Sequence, residues 1–451
     1  MSIPALPRVL LQFSVWALVL VSAMIAATVP ARAADTVEVT SPSGIRFWIV
    51  EDYTVPIVTL SFEFEGGANQ DPAGKAGLSS VLAAMMDEGA DGRSTAELKA
   101  ELEERGIEMG FSSGRDALSG GMRVLAGEVD GAFSLLAGIL AKPAFEEQSL
   151  ERIRDGFIQR AVRAKTNPRA ILSRAMRENL FPAHPYGLGS SGNERTLSRI
   201  TRQDVVSQHK RLLARDNLTI GIVGAITPAD AARLVDLAFA GLPQTASLDP
   251  VADVEPVFGF RKHVVFDTPQ TTVSLSLPGV KRADPDFFAA YLMNHILGGG
   301  GFSSRLYDEI REKRGLVYGV GSDISTLGHT AYLSAGFATR PDQANEALDL
   351  VLAEIRRMAQ EGPSTEELEA ARKFVLGAYA INNLDTSAKI ADGLVHLQVQ
   401  GLPIDYVDRR GEYIGAVTLE DVKKVAARLL SVEPAIVTVG PEPVTQDAAA
   451  N

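Results

Sequence analysis

Residues 58–89 read VTLSFEFEGGANQDPAGKAGLSSVLAAMMDEG. At its start Val58, Leu60, Phe62 and Phe64 alternate with Thr59, Ser61, Glu63 and Glu65, the period-two pattern of a strand with one buried face. Gly66-Gly67 ends that strand. Beyond the loop through Asp71 and Pro72, Leu78, Val81, Leu82, Met85 and Met86 recur at helical spacing and define one apolar stripe. The two methionines continue the stripe and read as core rather than as a ligand-binding patch. A strand turned by glycines into a short apolar helix is thus the unit from which the rest of the chain can be organised.

Downstream, a helix-rich stretch runs from about Thr95 to Ile200, with its charge run Glu101 to Arg105 read as a solvated helix end. A strand pair near Met109 to Val124 interrupts it. Asn217 to Val223 is a second apolar strand, and Thr227-Pro228 supplies an N-cap with proline at the first helical position. The same order returns in the second half, with a strand at Thr271 to Leu277, a helix at Pro285 to Leu297 and a closing strand at Ala435 to Val439. Phrases match too: ELEERGIEMG at Glu101 to Gly110 with EIREKRGLVYG at Glu309 to Gly319, and NLTIGIVG ending at Gly224 with PAIVTVG ending at Gly440. The chain is therefore a duplicated α+β unit, with domains at 36–243 and 258–445. The Pro-, Asp- and Ala-rich segment 244–257 joins them, and VTQDAAAN reads as a frayed tail.

The chain of 451 residues has 46% hydrophobic and 22% charged residues, ordinary values for a soluble globular protein of two domains. Residues 1–33 stand apart. Arg8 precedes an uncharged, largely apolar run from Phe13 to Val29, and Ala31-Arg32-Ala33 places small residues at the A-x-A positions of a secretory cleavage site. A retained membrane anchor is the alternative, but the run is at the short limit for spanning and no basic stop-transfer cluster follows. Cleavage, export to the periplasm and no stable membrane span afterwards are the expectation. Removing Arg8 and Arg32 makes the formal charge of −12 more negative by two, which argues against nucleic acid as a partner. There is no cysteine, so disulfides, thiolate metal sites and a cysteine nucleophile are excluded.

Together these features resemble the pitrilysin or insulinase family of zinc peptidases, in which an HxxEH signature lies on the first long helix. The resemblance is carried by residues 66–89, by HPYG at His184 to Gly187, by the Asn217 strand, and by LGGGGFSSRLYDEIREKRGLVYGV at Leu297 to Val320. It implies two homologous domains, each a mostly antiparallel sheet packed with helices on one face, forming half of a clamshell. It also places the metal positions. Where the family has His, two residues, Glu and His, this chain has Ser80, Val81, Leu82, Ala83 and Ala84; where the family has a distal glutamate, it has Arg160, with Asp155 the nearest acid before it. Ser80 and Ala84 cannot ligate zinc as imidazole does, Ala83 cannot serve as a general base, and a guanidinium repels a dication. On a helical wheel Ser80, Ala83 and Ala84 share a face roughly opposite Leu78, Leu82 and Met85. The six histidines include no i, i+3 or i, i+4 pair. No cofactor is expected on this chain, and zinc is expected in a partner.

The family's substrate-side pair is present. Its Arg and Tyr, seven residues apart, match Arg311 and Tyr318, and in the family they bind the substrate carbonyl and stabilise the tetrahedral oxyanion. Read without the resemblance, Arg311 and Arg314 are exposed cations at a helix C-terminus and Tyr318 is a half-buried strand residue. Gly298 to Gly301 has two readings as well, a substrate-facing loop or a helix C-cap and turn. The resemblance thus implies the non-zinc subunit of a heterodimeric periplasmic metalloendopeptidase. Its partners are then a homologous HxxEH-bearing subunit and a peptide or unfolded polypeptide substrate. The alternative is a catalytically inactive peptide-binding or scaffold protein of the same fold, and the vacant metal positions disfavour an autonomous zinc peptidase.

Overall fold

The computed structural model describes residues 35–442, so the signal reading of 1–33 and the tail reading of VTQDAAAN fall outside the described residues. The first half runs β1 (Thr36–Thr40), β2 (Arg46–Glu51), β3 (Ile57–Glu65), α1 (Leu78–Met85), α2 (Thr95–Glu104), β4 (Glu108–Ser113) and β5 (Ala117–Leu125). It continues through α3 (Val129–Ala141), α4 (Glu147–Ala164), α5 (Pro168–Leu180), α6 (Glu194–Leu197), α7 (Arg202–Leu212), β6 (Leu218–Gly224) and α8 (Pro228–Phe239). The second half runs β7 (Arg261–Val265), β8 (Thr271–Pro278), α9 (Phe287–Asn294), β9 (Val320–Leu327), β10 (Thr330–Thr339) and α10 (Ala344–Glu361). It ends with α11 (Thr365–Asn383), α12 (Ser387–Val399), α13 (Tyr406–Ala416), α14 (Leu419–Leu430) and β11 (Ala435–Gly440).

The duplication is visible in the ladders. The first sheet has the order β1-β2-β6-β3-β5-β4 and the second β7-β11-β8-β10-β9. In both, the strand that closes the half lies parallel to the first of the shared strands, β6 on β2 and β11 on β7, while every other shared pair is antiparallel. The expected pair of mostly antiparallel sheets with helices is the observed architecture. One phrase match shifts, however. Gly110 pairs with Gly121, which pairs with Ser61; Gly321 pairs with Gly336, which pairs with Ser274. Gly321, not Gly319, therefore stands where Gly110 does. β4 starts directly after Gly106-Ile107, whereas β9 starts only after the segment Gly315 to Gly319, which carries Tyr318.

Local signals work as their chemistry requires. Ser94 and Glu97 form a capping box at α2, and the Thr227 hydroxyl accepts from the Asp230 N–H with Pro228 at the first helical position. Val58, Leu60, Phe62 and Phe64 are buried in the first core, where Phe62 meets Phe239 edge-on with ring centroids 5.3 Å apart.

The polar face of β3 departs from the one-buried-face pattern. Thr59 is 4% and Ser61 9% exposed, because α12 of the second half lies across them. The Thr59 hydroxyl meets that of Ser387 at 2.8 Å, and the Ser61 hydroxyl donates to Asp392 at 2.6 Å. Ala391, Leu394 and Leu397 of α12 pack with Trp48, Val50 and Val223. Each fully buried leucine there contributes roughly 1.5–3 kcal/mol. The exchange is reciprocal, since Ile171, Leu172, Ala175 and Met176 of α5 pack on Ala435, Val437 and Val439 of β11. Residues 244–260 contain no regular structure, yet they are bonded to both halves: Gln70 exchanges hydrogen bonds with the Asp249 backbone, Val254 N–H donates to His329 and Val257 N–H to Leu180.

A polar latch reinforces this clasp. The Tyr186 hydroxyl donates to Asp116 at 2.6 Å and accepts from the His329 N–H at 3.1 Å, while Asp116 also accepts from the Gly328 N–H at 3.1 Å. Tyr186 of the HPYG phrase, 1% exposed, thereby ties the first half to the β9–β10 turn.

Gly221 marks the closest approach of α12 to β6: a Cβ there would stand 2.6 Å from the Ala391 carbonyl and 2.9 Å from the Leu394 Cβ. Gly221→Val is expected to lower unfolding free energy by about 3 kcal/mol in urea titration, as overpacking of a closed seam does. Gly377→Ala, where nothing lies within 4 Å, should be neutral or stabilising by up to about 1 kcal/mol.

Candidate functional site

The helix at the family's metal position, α1, is anchored by a buried polar network. The Asp71 carboxylate accepts from the Gly77 N–H at 2.7 Å, the Ser79 N–H at 2.8 Å and the Ser79 hydroxyl at 2.6 Å. Ser79 in turn accepts from Gln208 at 3.0 Å, and Gln208 also donates to the Gln70 carbonyl. These groups hold the start of α1 to the Gly66-Gly67 turn and to α7. Burial pushes the Asp71 carboxyl up to about 6, against the downward pull of its hydrogen bonds from Ser79, Gly77 and Leu78.

Ser80 lies on the first turn of α1, and its hydroxyl donates to the Ser190 carbonyl at 2.9 Å. The segment after HPYG therefore seats directly on this turn; Thr196 beyond it donates to the Ala76 carbonyl at 2.8 Å. Ala83 is 3% exposed within the first core and Ala84 is half-buried against it. The face opposite the apolar stripe is thus covered as well. α1 is packed by β4, α4 and α7, so the helix is buried around most of its circumference.

Arg160 is exposed on α4, its guanidinium 4.1 Å from the Phe157 ring, and Asp155 and Gln159 are exposed as well. The buried acid just beyond α1, Glu88, is taken by Lys99 at 3.2 Å and Arg152 at 2.5 Å. Burial alone would raise its carboxyl, but Arg152 and Lys99 hold it below the usual range. Among the described residues no three His, Asp or Glu side chains are grouped so as to hold a metal ion. A hydroxyl already donated to a carbonyl, two methyl groups and a cation do not fit zinc.

The second half carries the other pair. Arg311 lies in the π-helical turn Tyr307–Glu312. Its neighbours are committed: Lys313 pairs with Asp308 and Glu309, and Arg314 with Glu309 at 2.7 Å. The Arg311 side chain forms no ion pair or hydrogen bond among the described residues, and its Nε is fully enclosed without a partner. Leu316 and Val317 are buried and pin the following segment, with the Thr339 hydroxyl donating to the Leu316 carbonyl. Tyr318 then projects outward at 84% exposure, ahead of β9 rather than half-buried within a strand. It borders a groove of about 770 Å³ along β8, β9 and β10, with Arg169, Gln270 and Asp323 also at its walls.

Two glycines of the glycine-rich turn are constrained differently. Gly298 is structural, since a Cβ there would stand 2.5 Å from the Ser322 hydroxyl oxygen and 2.7 Å from its nitrogen. Gly301 is open, with φ of +57°, and the next residue, Phe302, is 82% exposed. The latch through Tyr186 and Asp116 had no signal of its own beyond the HPYG phrase, because its partners are the Gly328 and His329 N–H groups of the second half.

Fold and site together define a two-lobed, duplicated peptidase scaffold whose metal helix bears no ligand. Residues 46–192 match the model of the insulinase family, peptidase family M16, and residues 199–375 match that of the peptidase M16 inactive domain. The chain belongs to this M16 peptidase family. Similar proteins include a non-peptidase homolog, YmxG, of Helicobacter pylori, 22% identical over 82% of this chain and 86% of its own length. An uncharacterized zinc protease of Streptomyces coelicolor is 24% identical over 89% of each chain. A crystal structure of a peptidase M16 inactive domain from Pseudomonas fluorescens matches with a TM-score of 0.84 and 28% identity over 90% of this chain and 98% of that one. A Helicobacter pylori protease matches at 0.82 and 17% identity, over 91% of this chain and all of the other, a likeness of fold.

Because Asp71 has a raised carboxyl when folded, the stability it contributes is complete below its unfolded value and is lost as pH rises through about 6. Urea unfolding should therefore show a decline of about 3 kcal/mol attributable to this group between roughly pH 4 and 6.5. Asp71→Asn should remove that slope from the pH profile.

Proposed function

We propose that this chain is the non-zinc half of a heterodimeric metalloendopeptidase, presenting Arg311 and Tyr318 to substrate held against a homologous HxxEH-bearing subunit. The single observation that carries this reading is the uncommitted state of the pair: Arg311 without an acid or acceptor among the described residues, and Tyr318 displayed at 84% exposure. A guanidinium and a phenol are donors suited to a carbonyl oxygen that becomes an oxyanion. Ser80, Ala83, Ala84 and Arg160 leave metal, base and nucleophilic water to the partner. The substrate is then a peptide or an unfolded chain, able to lie along the groove beside Tyr318.

The test is peptide hydrolysis by the complex copurified with an HxxEH homologue. Arg311→Ala should lower kcat by about 10²–10³, with the complex still assembled, and Tyr318→Phe by less. An unchanged rate in both variants would instead favour the peptide-binding or scaffold function, in line with the name of the Helicobacter pylori relative.

The same reading has the chain exported to the periplasm. N-terminal sequencing of the protein released by osmotic shock should begin at Ala34; recovery only in the membrane fraction with Met1 or Ser2 first would point to a retained anchor.

A further inference from the structure

Away from α1 and from Tyr318, α9, α12 and α13 enclose a pocket of about 690 Å³ beside β2. Its walls are largely apolar, with Phe287, Phe288, Tyr291, Leu394, Leu397 and Ile404 among them. Two guanidiniums also line it. Arg282 lies 4.0 Å from the Phe287 ring and 5.0 Å from the Tyr406 ring, and Arg410 lies 4.2 Å from the Tyr379 ring. Arg410 is 7% exposed. Asp35, Asp52 and Asp408 border the pocket, yet among the described residues neither arginine forms an ion pair with any carboxylate.

The hydrogen bonds leave the site unfinished. Arg410 donates to the Val375 carbonyl at 3.1 Å, and Arg282 donates to the Tyr406 hydroxyl. A guanidinium has donors only, so the Tyr406 oxygen accepts, and its own proton has no acceptor among the described residues. Tyr406 is 5% exposed, and burial pushes its phenol above the ordinary range, which keeps that proton in place. Ring faces offset part of the cost of burying Arg410 beside the half-buried Arg282, but a buried cation is properly balanced by an anion. Apolar walls with a few convergent polar groups are the usual make-up of a small-ligand site, and this volume suits one.

We propose that this pocket binds a carboxylate carried on an apolar or aromatic body. The carboxylate oxygens accept from Arg282, Arg410 and the Tyr406 hydroxyl, while the apolar part lies on Phe288, Leu394 and Leu397. A medium-chain organic acid and the C-terminus of an apolar peptide share this chemistry. Inorganic phosphate does not, having nothing to set against the aromatic walls.

Trp48 packs in the same apolar cluster as Leu394, Leu397 and Tyr406, and so reports on the pocket. The purified full chain is titrated with octanoate, octanamide, and N-acetyl-Ala-Ala-Phe with a free or amidated C-terminus. Tryptophan fluorescence and melting temperature are followed, with Trp48→Phe as the control for the optical signal. At least one acid should shift both readouts, and its amide should bind at least about ten-fold more weakly, the discrimination expected of a charge-assisted contact. Arg282→Gln should abolish that discrimination while leaving amide binding unchanged. Response to octanoate alone assigns a free organic acid, and response to the peptide acid alone assigns a chain terminus. Equal binding of acids and amides, or no binding by either acid, overturns the proposal, and this comparison uses the unaltered protein.

Discussion

Each sheet of this molecule has two faces to bury, and the chain supplies each half with helices enough to cover one. The second face is closed by exchange: α12 crosses β3 and β6 of the first half, and α5 crosses β11 and β8 of the second. Neither half could expose these faces to water without uncovering Trp48, Val50 and Val223 on one side and Val437 and Val439 on the other. The remaining features follow from that clasp. The Tyr186–Asp116 latch, the bonded linker and the glycine at 221 all occur where the halves meet.

The clasp also decides what each lobe can do. In the first, α1 is packed on several sides and its start is held by Asp71, Ser79 and Gln208, so the helix is rigid whether or not it carries chemistry. Two residues at the metal positions take part in that packing: Ala83 is core, and Ser80 closes a hydrogen bond to the following loop. In the second lobe the reverse holds. Leu316 and Val317 are buried anchors, Glu309 and Asp308 absorb Lys313 and Arg314, and the side chains of Arg311 and Tyr318 are left without a partner among the described residues. The chain thus keeps the fold, fills the metal helix with small residues and leaves the Arg311 and Tyr318 side chains uncommitted among the described residues.

Much of the scaffold was legible because its signals are local. The alternation in β3, the stripe of α1, the strand before Gly224 and the Thr227 cap each follow from neighbours within a few residues, and the repeat of their order exposed the duplication. The errors came where a distant segment intervened. Thr59 and Ser61 read as a solvent face until α12 covers them. Ala83 lies opposite the apolar stripe as read, yet other elements cover that face too. The match of Gly110 with Gly319 failed because the segment after Gly315 is longer than its counterpart after Gly106, and only the ladder shows which glycine is paired.

By itself, then, the sequence determined the duplicated α+β unit, the chemical poverty of the metal positions and the presence of Arg311 and Tyr318, because residue type and short-range periodicity are sufficient for each. Tertiary structure decided that the halves exchange helices, that Tyr318 stands free while Arg314 is bound, and that Arg282, Arg410 and Tyr406 converge on one pocket. These depend on contacts between residues far apart in the chain, where burial and hydrogen-bond partners are set by packing.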